Sequence, residues 1–234
     1  MFRFIDRFLL VVACAALGAC ATGRGPLGIG TKDTSKTFHT VVVDAGHGGK
    51  DNGAYRRFGG AEKIATLDVA RRLSRKLRAS DFNVVMTRSS DVFIPLEERV
   101  AIENAQENSV FVSIHFNDSR RRGIRGFETY YHSSNSFDLA QRIQAKLMTM
   151  PDSASRGVHT ANYRVLRKAK YPAVLVECGY LSNRHEGGEA RDSEYREELA
   201  SKIAAAIVEQ RYGGHRTVKS ERASDVATPF LNSN

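Results

Sequence analysis

Cysteine is scarce in this chain of 234 residues: three occur, Cys14, Cys20 and Cys178. Long apolar runs are scarcer still. The run Phe8–Ala16 is too short for a membrane-spanning helix, which needs about 20 residues. No segment repeats and nothing marks a second domain. The compact His-Glu-x-x-His spacing of a helical metal site is absent, so any metal centre must be assembled from positions far apart in the chain. No nucleic-acid recognition motif is present either, which argues against reading the positive charge as a nucleic-acid footprint.

What is there is enough for one domain of ordinary size with tails. Apolar residues make up 41%, and 35 Lys and Arg outweigh 26 Asp and Glu for a net charge of +9. A basic surplus fits an anionic partner, whether wall polymer, membrane surface or nucleic acid, and charge alone does not choose.

The N-terminus chooses the compartment. Arg3 and Arg7 precede the short apolar run, the pattern of a secretory signal. Leu17-Gly18-Ala19-Cys20 follows and resembles the lipobox of bacterial lipoproteins. That resemblance implies a signal peptide over 1–19, cleavage before Cys20 and a lipid on Cys20, against the plainer readings of a signal peptide with an incidental cysteine or an uncleaved anchor. Cys14 would leave with the signal and Cys20 would be acylated. Cys178 then stands alone, and the mature chain has no internal disulfide. Residues 20–38 read as the lipidated cysteine and a flexible tether rich in Gly, Thr, Ser and Lys. The domain is expected over 39–212, and the polar segment 213–234 as a disordered tail.

Short apolar runs and amphipathic stretches alternate between these limits. Thr40–Asp44, Asn83–Met86, Val110–His115, Gly126–Tyr131, Tyr163–Leu166 and Ala173–Glu177 read as strands. Apolar residues at helical spacing mark helices from Glu62 onward, over Leu96–Ala105 with Pro95 in its first turn, around Leu139–Leu147 with Ser136 as cap, and over Ser193–Gln210. Alternating strands and helices predict an α/β domain with a largely parallel or mixed sheet. Sites in such sheets collect at the carboxyl ends of strands. His47 follows the first strand, His115 closes the third and Glu177 closes the last.

Two His and one Glu suit a three-ligand zinc site with an open fourth position. A further carboxylate could move the proton of a water held there. Candidates are His47 among Gly46, Gly48 and Gly49, Glu62 at a helix start, His115, and Glu177 after four apolar residues. Each has an ordinary reading when taken singly: a hydrogen-bonded loop histidine, a helix-start charge, a salt-bridge partner.

Four ordered blocks bear on the choice. Asp44-Ala45-Gly46-His47-Gly48-Gly49-Lys50-Asp51-Asn52-Gly53-Ala54, then Glu62-Lys63, then Arg99 and Asn104 with Val112-Ser113-Ile114-His115-Phe116-Asn117, then Arg156-Gly157-Val158 through Val176-Glu177 to Leu181-Ser182-Asn183 resemble the zinc amidases of type 3. The resemblance spans about Thr40–Tyr212. It implies Zn2+, one per chain, held by His47, Glu62 and His115, and Glu177 as the catalytic carboxylate. It implies a twisted, mostly parallel sheet of about six strands flanked by helices. It implies peptidoglycan as substrate, cut at the amide between N-acetylmuramic acid and L-alanine. Asn117 and Arg156 are candidate substrate contacts, and Arg120-Arg121-Arg122 with Arg125 are either contacts to a wall anion or a solvated loop. Arg71, Arg72, Arg75, Lys76 and Arg78 read as an exposed helix face.

The sequence departs from the family pattern at Cys178, expected to face away from Glu177 as a small buried residue, and at Phe116, expected to shape the groove. Only positions 116–176 separate His115 from Glu177, leaving little room for the long covering insertion that some members carry. An uncovered site with no activator protein and a monomeric chain are therefore expected. The competing readings are a zinc peptidase or deacetylase and a non-catalytic wall-binding lipoprotein. The four site residues argue against the second. With Ala21 after Cys20, the expected location is the outer membrane, facing the periplasm, if the envelope has two membranes.

Overall fold

The computed structural model describes residues 31–121 and 123–213. The proposed signal, Cys20, Arg122 and the tail beyond Gly213 lie outside the described residues.

Strand β1 (Thr40–Ala45) leads through a hairpin of two short strands, β2 (Tyr55–Arg56) and β3 (Gly60–Ala61), into helix α1 (Glu62–Ala79). Then come β4 (Asn83–Met86), α2 (Leu96–Asn104), β5 (Ser109–Asn117) and β6 (Phe127–Tyr131). A 3-10 turn at Ser134–Ser136 opens α3 (Phe137–Leu147), followed by β7 (Ser155–Thr160), α4 (Arg164–Arg167) and β8 (Ala173–Tyr180). The short α5 (Arg184–Glu189) and the long α6 (Ser193–Tyr212) close the domain. The sheet has six strands in the order β4-β1-β5-β8-β6-β7. All neighbours are parallel except β6 and β8, which run antiparallel. The expected single α/β domain with a mostly parallel six-stranded sheet is the fold observed.

Successive strand residues face opposite sides of a sheet, and that alternation divides the core in two. Val41, Val43, Val110, Val112, Ile114, Val174 and Val176 point into the larger cluster, where α1, α3 and α6 pack. Val42, Phe111 and Leu175 point the other way, into a smaller cluster capped by Val165 and Leu166 of α4. Asp44, Ser113, His115 and Glu177 share the parity of the second set. The thinner layer, covered only by α2 and α4, therefore carries the polar groups. Cys178 has the opposite parity and is 1% exposed in the larger cluster, turned away from Glu177 as expected.

Several sequence expectations change. Tyr163–Leu166 is not a strand: Tyr163 precedes a helical turn that packs Val165 and Leu166 onto the sheet. The sixth strand is instead Ser155–Thr160, an edge strand without apolar alternation. Ser136 makes no cap hydrogen bond to α3; its hydroxyl accepts from the Ala173 amide instead. Pro95 lies one residue before α2, in extended geometry. Asp192, by contrast, caps α6 by accepting from the Glu194 amide.

The expected tether is shorter at its C-terminal end. The Lys32 amide donates to Lys170 O, the Thr34 hydroxyl donates to Ser109 O, and Phe38 is fully buried and stacked on Phe82. The basic stretch of α1 is no uniform exposed face either. Arg72 brackets Asp68 and Glu197, so it ties α1 to α6. No helix of the described residues is long and apolar enough to cross a membrane.

Candidate metal centre and active site

The parallel strands β1, β5 and β8 end at one edge of the sheet. His47 stands just beyond β1, His115 near the end of β5 and Glu177 near the end of β8. Glu62 reaches them as the first residue of α1. His47 Nε2 lies 3.1 Å from Glu62 Oε2, and His115 Nδ1 lies 2.9 Å from Glu62 Oε1. One ligand atom from each of the three residues falls within a 4.8 Å set, the one such His/Cys/Asp/Glu cluster found among the described residues.

The backbone is bent to make this possible. His47 has φ 60, a left-handed conformation uncommon for a residue with a side chain and found disproportionately at functional sites. Gly53 has φ 63, and a Cβ there would lie 2.5 Å from Glu62 Oε2 and 2.6 Å from His47 Cδ2. Glycine at 53 is thus a condition of the cluster. The amides of Ala54 and Phe116 donate to Glu62, at 2.9 and 3.1 Å, and fix both carboxylate oxygens. Phe116 serves through this amide; its ring is buried in the main core, and the residue also lines the groove.

Beneath the histidines lies a network of buried ions. Arg99 donates to Asp44 at 2.5 Å, to Ala45 O at 2.7 Å and to His47 O at 2.6 Å. Arg88 donates to Ala45 O and Gly46 O. Asp44 also accepts from Thr87 and Ser113, both at 2.6 Å. Two guanidinium groups therefore hold the carbonyls of the His47 turn, and the Asp44 carboxylate pairs with one of them, Arg99. Sequence reasoning placed Asp44 and Arg99 in motifs but gave them no role. The same holds for Asp51, whose Oδ2 lies 2.8 Å from His47 Nδ1.

Charge in the cluster follows from this packing. Burial pulls the His47 imidazole down, but hydrogen bonding and charge from Glu62, then from Asp51, outweigh it and lift it to about 9. Burial pulls the His115 imidazole down too, and Glu62 again more than compensates. Burial pushes Glu62 up, yet the two histidines hold it far below the usual carboxylate range. Two histidines and one carboxylate with converging donor atoms fit a zinc ion.

Glu177 faces His115 in the register of β5 and β8. Its Oε2 is sealed from solvent and has no hydrogen-bond partner. Burial pushes the carboxyl up to about 7; His115 pulls it down, while Glu62 and Glu128 push it further up. A cavity of about 750 Å³ opens over these groups, walled by Phe93, Ile94, Leu96, Tyr163 and Leu175 and reaching Asn117. Asn117 and Arg156 meet on Glu128, a residue sequence reasoning did not single out. Its oxygens accept from Asn117 Nδ2 at 2.7 Å, Arg156 Nε at 2.9 Å and Tyr180 Oη at 2.8 Å. Arg120 and Arg121 do not line the cavity, and Arg125 is engaged with Asp152 O.

Comparison with known proteins agrees with this geometry. The Amidase_3 family model, described as N-acetylmuramoyl-L-alanine amidase, matches residues 41–209. N-acetylmuramoyl-L-alanine amidase LytC of Bacillus subtilis is 37% identical over 168 residues, 70% of this chain and 34% of LytC. The chain thus spans about a third of that relative's length. The structure of the amidase AmiC2 of Nostoc punctiforme superposes with TM-score 0.71 at 34% identity, covering 77% of this chain and 98% of that one. That of the CwlD amidase of Clostridioides difficile in complex with the GerS lipoprotein gives TM-score 0.70 at 28% identity, covering 74% and 98%. With its six-stranded sheet, its gathered His47, Glu62 and His115 and a match across nearly the whole described domain, the chain belongs to the N-acetylmuramoyl-L-alanine amidase family.

Proposed function

We propose that this protein is a zinc-dependent N-acetylmuramoyl-L-alanine amidase that hydrolyses the bond between N-acetylmuramic acid and the L-alanine of the stem peptide. The observation that carries this is the juxtaposition of the His47–Glu62–His115 donor set with an unpartnered Glu177 carboxylate on one cavity floor. Bound zinc would supply Lewis acidity to the scissile carbonyl and to a water. His47, Glu62 and His115 would hold the ion, and Asp51 would fix the His47 ring from behind. Glu177 takes a proton from the attacking water and delivers it to the leaving nitrogen, a double role suited to a carboxyl lifted towards neutrality. Asn117 and Arg156 contact the substrate.

The chain is further proposed to be a lipoprotein, with signal 1–19, lipid on Cys20 and a site open without an activator. It would act as a monomer on peptidoglycan from the outer membrane of a two-membrane envelope. The deciding experiment is digestion of purified peptidoglycan by residues 31–234, with mass analysis of products with and without a zinc chelator. Stem peptides with a free L-alanine amino terminus, lost on chelation and restored by zinc, would support the amidase reading. Cleavage at another bond would move it to a peptidase or deacetylase. Zinc binding without any cleavage would leave a wall-binding module.

A further inference from the structure

Glu128 is a buried carboxylate to which the hydrolytic scheme gives no part. It is 4% exposed, and a buried charge must be paired and hydrogen-bonded to be tolerated. Its partners are informative. The cross-strand register puts Glu177 opposite His115 on one side and opposite Glu128 on the other. His115, Glu177 and Glu128 therefore form one row across β5, β8 and β6. The next strand, β7, shifts register beside Glu128, and the shift leaves Arg156 next to the end of this row. Glu128 Oε1 accepts from Arg156 Nε, and Oε2 accepts from Asn117 and Tyr180. The Arg156 guanidinium lies over the Tyr180 ring, and its side chain remains 39% exposed.

A guanidinium gripped at Nε and stacked on an aromatic ring is fixed in direction while its outer face stays open to a ligand. Such a fork suits a planar carboxylate. Its place in the row sets which carboxylate. Strands are about 4.8 Å apart, so β7 lies roughly 10 Å from Glu177. An extended chain covers roughly 3.5 Å per residue, which makes this about three residues from the cleaved bond.

We propose that Glu128 is a positioning residue that builds, from Arg156 and Asn117, a recognition site for a carboxylate carried by the stem peptide within about three residues of the scissile amide. This deepens the amidase reading and rests on it for the identity of the peptide.

The test uses two soluble probes, an N-acetylmuramoyl tripeptide with free carboxylates and the same molecule with those carboxylates converted to carboxamides. The zinc-loaded wild-type chain is expected to favour the free acid by about tenfold or more in kcat/KM, mainly through KM. Arg156→Ala should bring that ratio close to one, Arg156→Lys should restore part of it, and Glu128→Gln should lower it. A purely structural role for Glu128 would lower activity on both probes alike and leave the ratio intact; that outcome overturns the proposal, as does full discrimination in Arg156→Ala. Titration of the two probes into the Glu177→Gln variant separates this from failure of the amidase reading. Preference for the free acid, lost on adding Arg156→Ala, would sustain the site even if neither probe is cleaved. Equal binding of the two probes would refute it.

Discussion

Glu177 stands directly across from His115 in the parallel register of β5 and β8, and the oxygen it keeps from solvent touches no donor. An unpaired buried oxygen is costly, and its placement beside the histidine cluster makes it the base and acid of the proposed reaction. Glu177→Gln keeps the shape and removes the proton exchange. Turnover should fall by at least 10³-fold, on the scale of lost general acid–base catalysis, with one zinc per chain retained by metal analysis. Loss of zinc in that variant would make Glu177 a ligand instead.

Asp51 holds His47 Nδ1 at 2.8 Å and so fixes which nitrogen faces the cluster. Partners of this kind tune affinity more than chemistry. Asp51→Asn should weaken zinc binding roughly 10- to 100-fold, measured by competition with a chromogenic chelator, while activity at saturating zinc stays within a few-fold. Unchanged affinity would show that the hydrogen bond orients nothing.

Arg99 and Asp44 form an ion pair whose side chains are 4% and 2% exposed. Removing one partner strands the other charge. Arg99→Ala is expected to cost about 3–5 kcal/mol of stability, read from urea unfolding, and to loosen the His47 turn, because Arg99 also holds His47 O. Arg99→Lys keeps the charge but not the fork and should fall between. A loss under 1 kcal/mol in the alanine variant would deny the network its bracing role.

Glu103 is fully buried, and neither oxygen has a partner. Burial, with the nearby charge of Asp44, pushes it up to about 9. The native chain therefore holds a proton that the unfolded chain releases above its ordinary value of 4.5. Stability contributed by that proton is full below 4.5 and is lost progressively as pH rises towards about 9. Glu103→Leu removes both the titration and the unsatisfied oxygens. It should raise stability at pH 7 by about 1–3 kcal/mol, with a gain that grows between pH 5 and pH 8.5. Equal or lower stability across that range would mean that the carboxyl has a polar partner in solution.

The strands most plainly legible in the sequence were those buried on both faces, although the edge strand Asn83–Met86 and the strand ending at Tyr131 were read as well. Val41–Val43, Val110–Ile114 and Ala173–Val176 pack helices on either side, so their apolar runs are uninterrupted. Strand β7 was invisible because it is an exposed edge, Ser-Arg-Gly-Val-His-Thr, with nothing to bury on alternate positions. Tyr163–Leu166 looked like a strand because two apolar residues in a row serve equally to dock one helical turn. At the site, His47, Glu62, His115 and Glu177 stood out by residue type at strand and helix ends. Glu128 carries the signal that drew attention to Glu177, a carboxylate within an apolar strand, and the same question about its partner would have found it. Asp51 and Arg88 gave no such signal, since their roles depend on how the turn after β1 folds back.

The segment Thr31–Phe38 enters the domain beside Ser133, Asn135 and Lys170, where β6 ends and β8 has yet to begin. Those neighbours mark the edge of the sheet opposite the histidines. Nine residues of β5 separate the two edges, roughly 30 Å. The described chain therefore enters the domain from behind the site, as a handle meets a blade. An anchor there would leave the cutting edge turned outward, and the depth of the domain itself would lengthen the reach towards a polymer lying off the membrane.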